Sequence, residues 1–363
     1  MNKKTAISFF SGIILSLIAL YFAFRNVPFA DLITYLGSIN YLWVLPSTLI
    51  VFAGFVLRSV RWQLILSSNQ KIGFFSSYHP LIIGFMINCI LPGRVGEVAR
   101  PVILKKKDKI PFSTGLATVL AERVFDIFIL IILFIFFLPT AEIDPDLVIK
   151  FGNYNLNSKT LETVFIGMIQ LSILLFVGIT AVSFNFTRKI INRIIMAIPS
   201  VLFFSRVSFK KKIHDKVCTP VVNIIENFAS GFSFIKSPGL ICICIVFSVI
   251  IWLLSSFTYY VFSLGCPGIN LSFAEMTAVM LIVCFFIALP SAPGFWGLWE
   301  AGGVFAMLLF GVSEKEAAGF TLANHAIQMF PVIIMGLISA FITGVDIRRV
   351  SYNQLKEVHH VDS

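Results

Sequence analysis

Arginine and carboxylate side chains recur at intervals of three or four residues inside otherwise apolar stretches of this chain. Arg58 and Arg61 lie three residues apart in "FVLRSVRWQLIL", so a helix would place both on one face. Glu122 and Asp126 lie one helical turn apart in "LAERVFDIF", with Arg123 between them. Guanidinium groups bind phosphate through paired hydrogen bonds, so the pattern indicates a site for an anionic group whose arginines are balanced by carboxylates.

A second charged motif, "CILPGRVGEVARP" at 89–101, combines a helix break with Arg94, Glu97 and Arg100 at three-residue spacing. Proline removes a backbone donor and glycine permits turns, so one helix should end before the Leu-Pro-Gly triplet and another should follow it. A break inside an apolar segment survives only where protein or a wet cavity covers it. We therefore expect Glu97 to have a functional role.

A similar break lies in "LPSAPGFWGLWEAGG" at 289–303, between two apolar runs. Here a helix should end near Leu289 and another should start near Gly294, with Gly297 permitting a turn and Glu300 closing the motif. Free amides and the helix dipole would make the start of the second half-helix an anion site. His325 and its polar neighbours lie in the last apolar segment. The candidate substrate-binding residues are Arg58, Arg61, Arg94, Glu97, Arg100, Glu122, Arg123, Asp126, Gly294, Gly297 and Glu300, and the candidates for proton coupling are Glu97, Glu300 and His325.

The elements that position these residues must lie in a membrane, because 58% of the 363 residues are hydrophobic and only 13% are charged. Spans need about 20 apolar residues. They are predicted near 5–24, 42–66, 112–138, 161–184, 239–264 and 317–344, with interrupted stretches at 77–104 and 273–310. The sequence thus predicts an all-α integral membrane protein with about six full transmembrane helices and two re-entrant broken-helix hairpins, arranged like an inverted repeat.

Lysine and arginine gather on the same side of the predicted spans, which predicts a multi-pass membrane protein with both termini in the cytoplasm. The hairpin at 77–104 would then enter from the cytoplasm and the one at 273–310 from outside. We expect one transmembrane domain over 1–346, a basic cytoplasmic segment near 185–237 and a short cytoplasmic tail at 347–363. Because the net charge of +10 is explained by inner loops, no nucleic-acid partner is expected. The six scattered cysteines predict neither a metal site nor a disulfide framework.

Four motifs in this order, "RSVRW", "LPGRVGEVARP", "AERVFD" and "LPSAPGFWGLWE", resemble the lysylphosphatidylglycerol synthase transmembrane family. That family includes the flippase-type N-terminal domain of the bacterial multiple peptide resistance factor and free-standing homologues. The resemblance covers nearly the whole chain and implies a lipid translocase that moves aminoacylated phosphatidylglycerol between leaflets. This sequence departs from the common pattern where Phe295 and Trp296 follow Gly294.

In two-domain relatives a separate domain performs aminoacyl transfer, and that domain is expected to be absent here. We therefore expect a flippase for an anionic or aminoacylated phospholipid, or for a polyprenyl phosphate, rather than an enzyme. No cofactor is expected. Two alternatives stay open: a membrane-embedded transferase acting on a lipid phosphate through Glu122 and Asp126, and a non-catalytic partner of a lipid-synthesis complex. A homodimer also stays open.

Overall fold

The computed structural model describes residues 3–91, 94–137, 149–151, 154–156, 185–201, 214–230, 237–289 and 292–346, with a few isolated positions between them. In chain order, its helices are α1 (Lys3–Phe24), α2 (Phe29–Ser38), α3 (Val44–Ser67), α4 (Phe74–Ile90), α5 (Val95–Asp108), α6 (Phe112–Phe137), α7 (Asn185–Val201), α8 (Thr219–Ser230), α9 (Pro238–Ser263), α10 (Phe273–Ala288), α11 (Leu298–Leu309) and α12 (Glu314–Thr343).

The helical class predicted from the sequence is confirmed over this part of the chain, with one small addition. Two three-residue strands, β1 (Ile149–Phe151) and β2 (Tyr154–Leu156), form an antiparallel ribbon in which Ile149 pairs with Leu156. The ribbon follows the acidic connection after α6, so it lies outside the predicted spans.

Among the described residues, three helical segments are long and apolar enough to cross a membrane: Tyr41–Ser67, which adds a 3-10 turn to α3, then α9 and α12. They match three of the predicted spans. Near the N-terminus, Ser16–Phe24 and α2 meet at an angle of 78°. They are long and apolar enough to cross a membrane only if the two are counted as one bent span. The predicted span at 112–138 is the single helix α6, although Glu122, Arg123 and Asp126 interrupt its apolar sequence. The predicted span at 161–184 lies outside the described residues apart from isolated positions, so the count of six stays a prediction.

The first predicted break separates α4 from α5, and α5 packs back against α4. Arg94, just before α5, has a left-handed backbone with φ of 54°. The two helices approach so closely that a Cβ atom on Gly96 would lie 1.8 Å from the carbonyl oxygen of Gly84. The Asn88 side chain accepts a hydrogen bond of 2.8 Å from the Gly96 amide. This segment is therefore an antiparallel helical hairpin.

The second predicted break separates α10 from α11 and also folds back, since a Cβ on Gly302 would meet the ring of Phe286 at 2.9 Å. α10 ends at Ala288, as expected, but α11 begins at Leu298 instead of near Gly294. The reason is local: Gly294 and Gly297 have φ of 67° and 91°, which an α-helix cannot contain. The structure therefore contains two broken-helix hairpins, and their re-entry into a membrane stays a prediction.

Helix α12 holds the two hairpins together, because it packs against α4 of the first and α11 of the second. α3 packs along α9, and α6 contacts both α5 and α9. The largest apolar cluster joins α9, α10, α11 and α12 with parts of α2 and α6. The charged residues singled out from the sequence lie on the faces that these helices turn toward one another.

Candidate functional site

Arg61 on α3 is a deeply buried charge of the site, with a side chain that is 1% exposed. Its Nη1 atom donates hydrogen bonds to Oδ1 of Asp126 at 2.7 Å and to Oγ of Ser248 at 2.6 Å. Its Nη2 atom lies 3.5 Å from Oε1 of Glu122. The two carboxylates predicted one turn apart on α6 thus both face this arginine.

Arg100 on α5 forms the second buried pair, with Oε2 of Glu122 as its hydrogen-bond acceptor. The guanidinium carbon lies 3.9 Å from the ring centre of Trp62, a close cation–π contact. The Trp62 indole donates in turn to Thr118 at 3.0 Å. Charges buried this deeply are tolerated only with such partners, so these contacts tie α3, α5, α6 and α9 together.

A second row of charges continues outward from Asp126 along the first hairpin. Arg123 lies 3.5 Å from Asp126 and 3.9 Å from Glu97, and Arg94 lies 3.7 Å from the same oxygen of Glu97. Arg94 also donates a hydrogen bond of 2.9 Å to the Ile287 carbonyl, near the end of α10. This row therefore connects α6 and the first break with the second hairpin.

Between the two hairpins lies a cavity of about 200 Å³, to which α3, α6, α9 and α12 also contribute. Its lining residues are Arg58, Phe85, Asn88, Cys89, Arg94, Glu97, Arg123, Trp252, Ser255, Tyr259, Met280, Cys284, Ile287, Gly294, Phe295, Trp299, His325, Gln328 and Met329. Of the residues predicted from the sequence, Arg58, Arg94, Glu97, Arg123, Gly294 and His325 line it, whereas Arg61, Arg100, Glu122, Asp126, Gly297 and Glu300 do not.

The cavity lining is positively charged, because it includes three arginines and one glutamate, a formal charge of +2 with His325 neutral. Arg58 differs from the other two arginines in having no carboxylate within ion-pair distance among the described residues, although Asp126 is near enough to attract it electrostatically. Its guanidinium carbon lies 5.2 Å from the ring centre of Trp252 and 6.0 Å from that of Phe85. The Trp299 indole N–H also lacks a hydrogen-bond partner among those residues. Nε2 of Gln328, also in the lining, likewise has no hydrogen-bond partner among the described residues. The cavity therefore offers one cation outside any ion pair and two neutral donors.

Glu300 and His325 form a separate buried pair beside the cavity. Nδ1 of His325 lies 2.6 Å from Oε1 of Glu300, and Nε2 lies 2.9 Å from the Gly294 carbonyl oxygen. The other carboxylate oxygen of Glu300 accepts a hydrogen bond of 2.7 Å from the Gly297 amide, at the start of α11. The anion site expected at this helix start is thus filled by a carboxylate of the protein itself.

The two glutamates of the break motifs consequently have different surroundings. Glu97 is partly exposed and lies in the cavity between two arginines, whereas Glu300 is fully buried against a histidine. The order Leu-Pro, Gly, Gly, Glu is common to both motifs, but a Cβ on Gly297 would meet the backbone of Ser16 on α1. Helix α1 therefore covers the second break, whereas a Cβ on Gly96 in the first motif would meet α4 instead.

The aromatic part of the site was missed by reasoning from charges and breaks. The sequence has five tryptophans, and four of them are at the site. Trp62 contacts Arg100, and Trp252 contacts Arg58. The Trp299 ring stacks on the His325 ring, with ring centres 4.5 Å apart and an interplanar angle of 4°. The Trp296 ring lies 4.5 Å from the same His325 ring and is tilted by 45° to it. The concentration of a rare residue type around the charged motifs was the available signal.

Among the described residues no group of three His, Cys, Asp or Glu side chains could hold a metal ion. The cysteines are free, and Cys89 and Cys284 lie in the cavity wall on different hairpins.

These features define a helical membrane protein with a cationic cavity between two broken-helix hairpins. The family described as "Lysylphosphatidylglycerol synthase TM region" matches residues 9–336, so the chain belongs to that family. This confirms the resemblance seen in the sequence motifs.

Curated relatives are similar at low identity. The chain is 24% identical to "Glycosyltransferase AglD" of Haloferax volcanii over 90% of its own length, but spans only 53% of that protein. It is 27% identical to a "UPF0104 membrane protein" of Methanothermobacter thermautotrophicus, covering 80% of each chain, and 24% identical to one of Methanocaldococcus jannaschii, covering 74% of this chain and 98% of the other. No solved structure matches.

Proposed function

We propose that this chain is a lipid translocase, which moves an anionic or aminoacylated phospholipid, or a polyprenyl phosphate, between the leaflets of the bacterial inner membrane. The observation that carries the proposal is Arg58, an unpaired guanidinium in the wall of a cavity between two broken helices. An unpaired cation at such a position is costly unless a ligand neutralises it. A phosphate group is the natural partner, since a guanidinium can bind it through two hydrogen bonds.

The dimensions of the cavity suit a head group rather than a whole lipid. About 200 Å³ holds a phosphate with a small substituent, so the acyl chains would stay outside in the bilayer. Arg94 and Arg123 share Glu97, and a bound phosphate would compete with that carboxylate for both. The partners of the protein would therefore be membrane lipids.

The proposed topology follows from the charge distribution. Six spans would enclose the site, both termini would face the cytoplasm, and the two hairpins would enter the membrane from opposite faces. Small movements of either hairpin would then expose the cavity to one leaflet at a time. Labelling of single cysteines at positions 71 and 270, both exposed, from each side of sealed vesicles tests this arrangement, which requires that the two positions react from opposite sides.

The transferase alternative relied on Glu122 and Asp126 as a base or as Mg²⁺ ligands. In the structure both carboxylates are buried and bound to Arg61, and neither lines the cavity. A catalytic base must reach the proton that it abstracts, so this arrangement favours transport over group transfer.

The test uses purified protein reconstituted into liposomes with fluorescent phosphatidylglycerol, its lysylated form, a polyprenyl phosphate or phosphatidylcholine. Leaflet exchange is followed by chemical quenching from outside. An Arg–phosphate contact contributes about 1.5 to 3 kcal/mol, so Arg58→Gln should lower the rate at sub-saturating lipid by about tenfold or more. Arg188→Gln is the matched control, because Arg188 pairs with Glu226 on α7 and α8, outside the cavity.

Two outcomes would contradict the proposal. One is that none of the anionic or lysylated lipids moves faster than in protein-free liposomes, with folded protein and with imposed gradients of either sign. The other is that Arg58→Gln moves the preferred lipid as fast as the wild type does.

A further inference from the structure

The hydrogen bonds around His325 determine how many protons the Glu300–His325 pair contains. The Gly294 carbonyl can only accept, so Nε2 of His325 at 2.9 Å must carry a hydrogen and donate it. In a neutral imidazole, Nδ1 would then be a bare acceptor. An ionised Glu300 oxygen at 2.6 Å is also an acceptor, and two acceptors at that distance repel each other.

A proton between Nδ1 and Oε1 removes this conflict. The pair is then either imidazolium with carboxylate or neutral imidazole with carboxylic acid, and both forms contain one proton more than neutral histidine beside ionised glutamate. The second oxygen of Glu300 is already accepting from the Gly297 amide at 2.7 Å, so the carboxyl group cannot rotate away without uncapping α11.

We propose that the Glu300–His325 pair is the binding site for a coupling proton. The proposal rests on the proposed translocase function and names the ion that drives it. On release, the pair loses one proton, from Nε2 of His325, to water in the cavity, which His325 lines. A carboxylate and a neutral imidazole with a single N–H remain.

That single N–H can serve only one of its two acceptors. A hydrogen bond to a carboxylate is stronger than one to a neutral carbonyl, so Glu300 retains it and the Gly294 carbonyl loses its donor. Gly294 lies in the turn before α11 with φ of 67°, and a Cβ there would lie 3.1 Å from the Cys89 carbonyl of the first hairpin. Proton release therefore loosens the point at which the two hairpins meet.

Other charged and titratable groups around the cavity would respond to this change. Tyr259 comes from α9 and Cys284 from α10, and the charges of Arg58, Arg94, Arg123 and Glu97 face the same space. An anionic head group bound by the arginines adds negative charge near His325 and so favours retention of the proton. Lipid and proton would thus bind together, as coupled transport requires.

Glu300→Gln removes the extra proton but keeps the hydrogen-bond geometry of the pair. The glutamine oxygen can accept from the Gly297 amide, and its NH₂ group can donate to a bare Nδ1, so all three contacts form without the extra proton. Glu275→Gln is the matched control: Glu275, in the first turn of α10, accepts from the Ser272 amide at 2.7 Å in the same capping role, but this hydrogen bond is exposed and lies outside the cavity.

The first measurement is spectroscopic and needs no transport. In lipid-reconstituted full-length protein, ¹⁵N NMR of labelled histidine and the infrared band of protonated carboxyl groups report imidazolium and carboxylic acid, respectively, with His325→Gln identifying the NMR signals. We expect one of these two signals in the wild type and in Glu275→Gln, and its loss in Glu300→Gln. Absence of both signals from folded wild-type protein at every pH overturns the assignment.

The second measurement is lipid accumulation under an imposed pH gradient in the liposomes described above. One proton per lipid allows accumulation of up to about tenfold per pH unit, so the wild type and Glu275→Gln should show a gradient-dependent bias that Glu300→Gln lacks. Lipid movement with no bias, or with an equal bias in Glu300→Gln, overturns the coupling and leaves the translocase standing. If no lipid moves in any variant, the proposed function fails, and the spectroscopic result still decides whether the pair holds the proton.

Discussion

The buried carboxylate of Glu122 gives the sharpest test of the charge network. Its Oε1 atom faces Arg61 at 3.5 Å and its Oε2 atom accepts from Arg100, and all three side chains are at most 2% exposed. Arg61 also has Asp126 and Ser248 as partners, but Arg100 has no other carboxylate within ion-pair distance among the described residues. Glu122→Gln therefore leaves one buried guanidinium without a counter-charge.

Removing one partner of a buried ion pair costs about 3 to 5 kcal/mol, because the remaining charge stays desolvated. We expect Glu122→Gln to lower the free energy of unfolding by that amount in mixed detergent micelles, measured by denaturant titration with tryptophan fluorescence. The control is Glu226→Gln. Glu226 lies 3.0 Å from Nε of Arg188, and its side chain is 46% exposed, so this variant breaks an exposed ion pair. An exposed pair contributes less than about 1 kcal/mol.

The double variant Arg100→Met with Glu122→Gln distinguishes lost pairing from lost shape. Removing both charges avoids the desolvated cation, so the double variant should regain most of the stability that the single variant loses. The reasoning is refuted if Glu122→Gln costs no more than Glu226→Gln, or if the double variant is as unstable as the two single changes added together.

Two further predictions concern the hairpin and the cavity. Gly96→Ala should lower the free energy of unfolding by about 1 to 3 kcal/mol, because the new Cβ would overlap the Gly84 carbonyl. Gly73→Ala is the control and should be nearly neutral, since nothing lies within 4 Å of its Cβ. Equal effects of the two variants would contradict the close helix contact. The charge of the cavity can be tested in variants that retain only Cys89 or only Cys242. Because the cavity has a formal charge of +2, an anionic thiol reagent should modify Cys89 faster than a cationic reagent of similar size does. Exposed Cys242 is the control and should react with both reagents at similar rates. A faster reaction of Cys89 with the cationic reagent would show that the cavity is not positive.

The two helix breaks were predictable from the sequence because their cause is local. The combination of Leu-Pro with nearby glycine ends a helix in both motifs, so α4 and α10 end within a residue of the expected positions, whereas single prolines such as Pro80 and Pro331 lie inside helices. The start of α11 was placed too early, because Gly294 looked like the first helical residue and its positive φ depends on the contacts made around the turn.

The partition of the charges between core and cavity could not be predicted. Arg58 and Arg61 share a helical face in the sequence pattern, yet one lines the cavity and the other is bound by α6 and α9. Glu97 and Glu300 occupy like positions in like motifs, and only the packing of α1 and α12 makes their surroundings different. Such differences come from neighbours that are distant in the chain, which spacing rules do not report.

The ion pairs between α3 and α6 also bear on how the protein is made. α6 contains Glu122, Arg123 and Asp126, and each charge opposes transfer of an isolated helix from the translocon into lipid by about 2.5 to 3.5 kcal/mol. α3 is synthesised first and contains Arg61, the partner of two of these carboxylates. We therefore expect α6 to remain in the translocon until its carboxylates pair with Arg61 of α3, so that the two helices enter the lipid together.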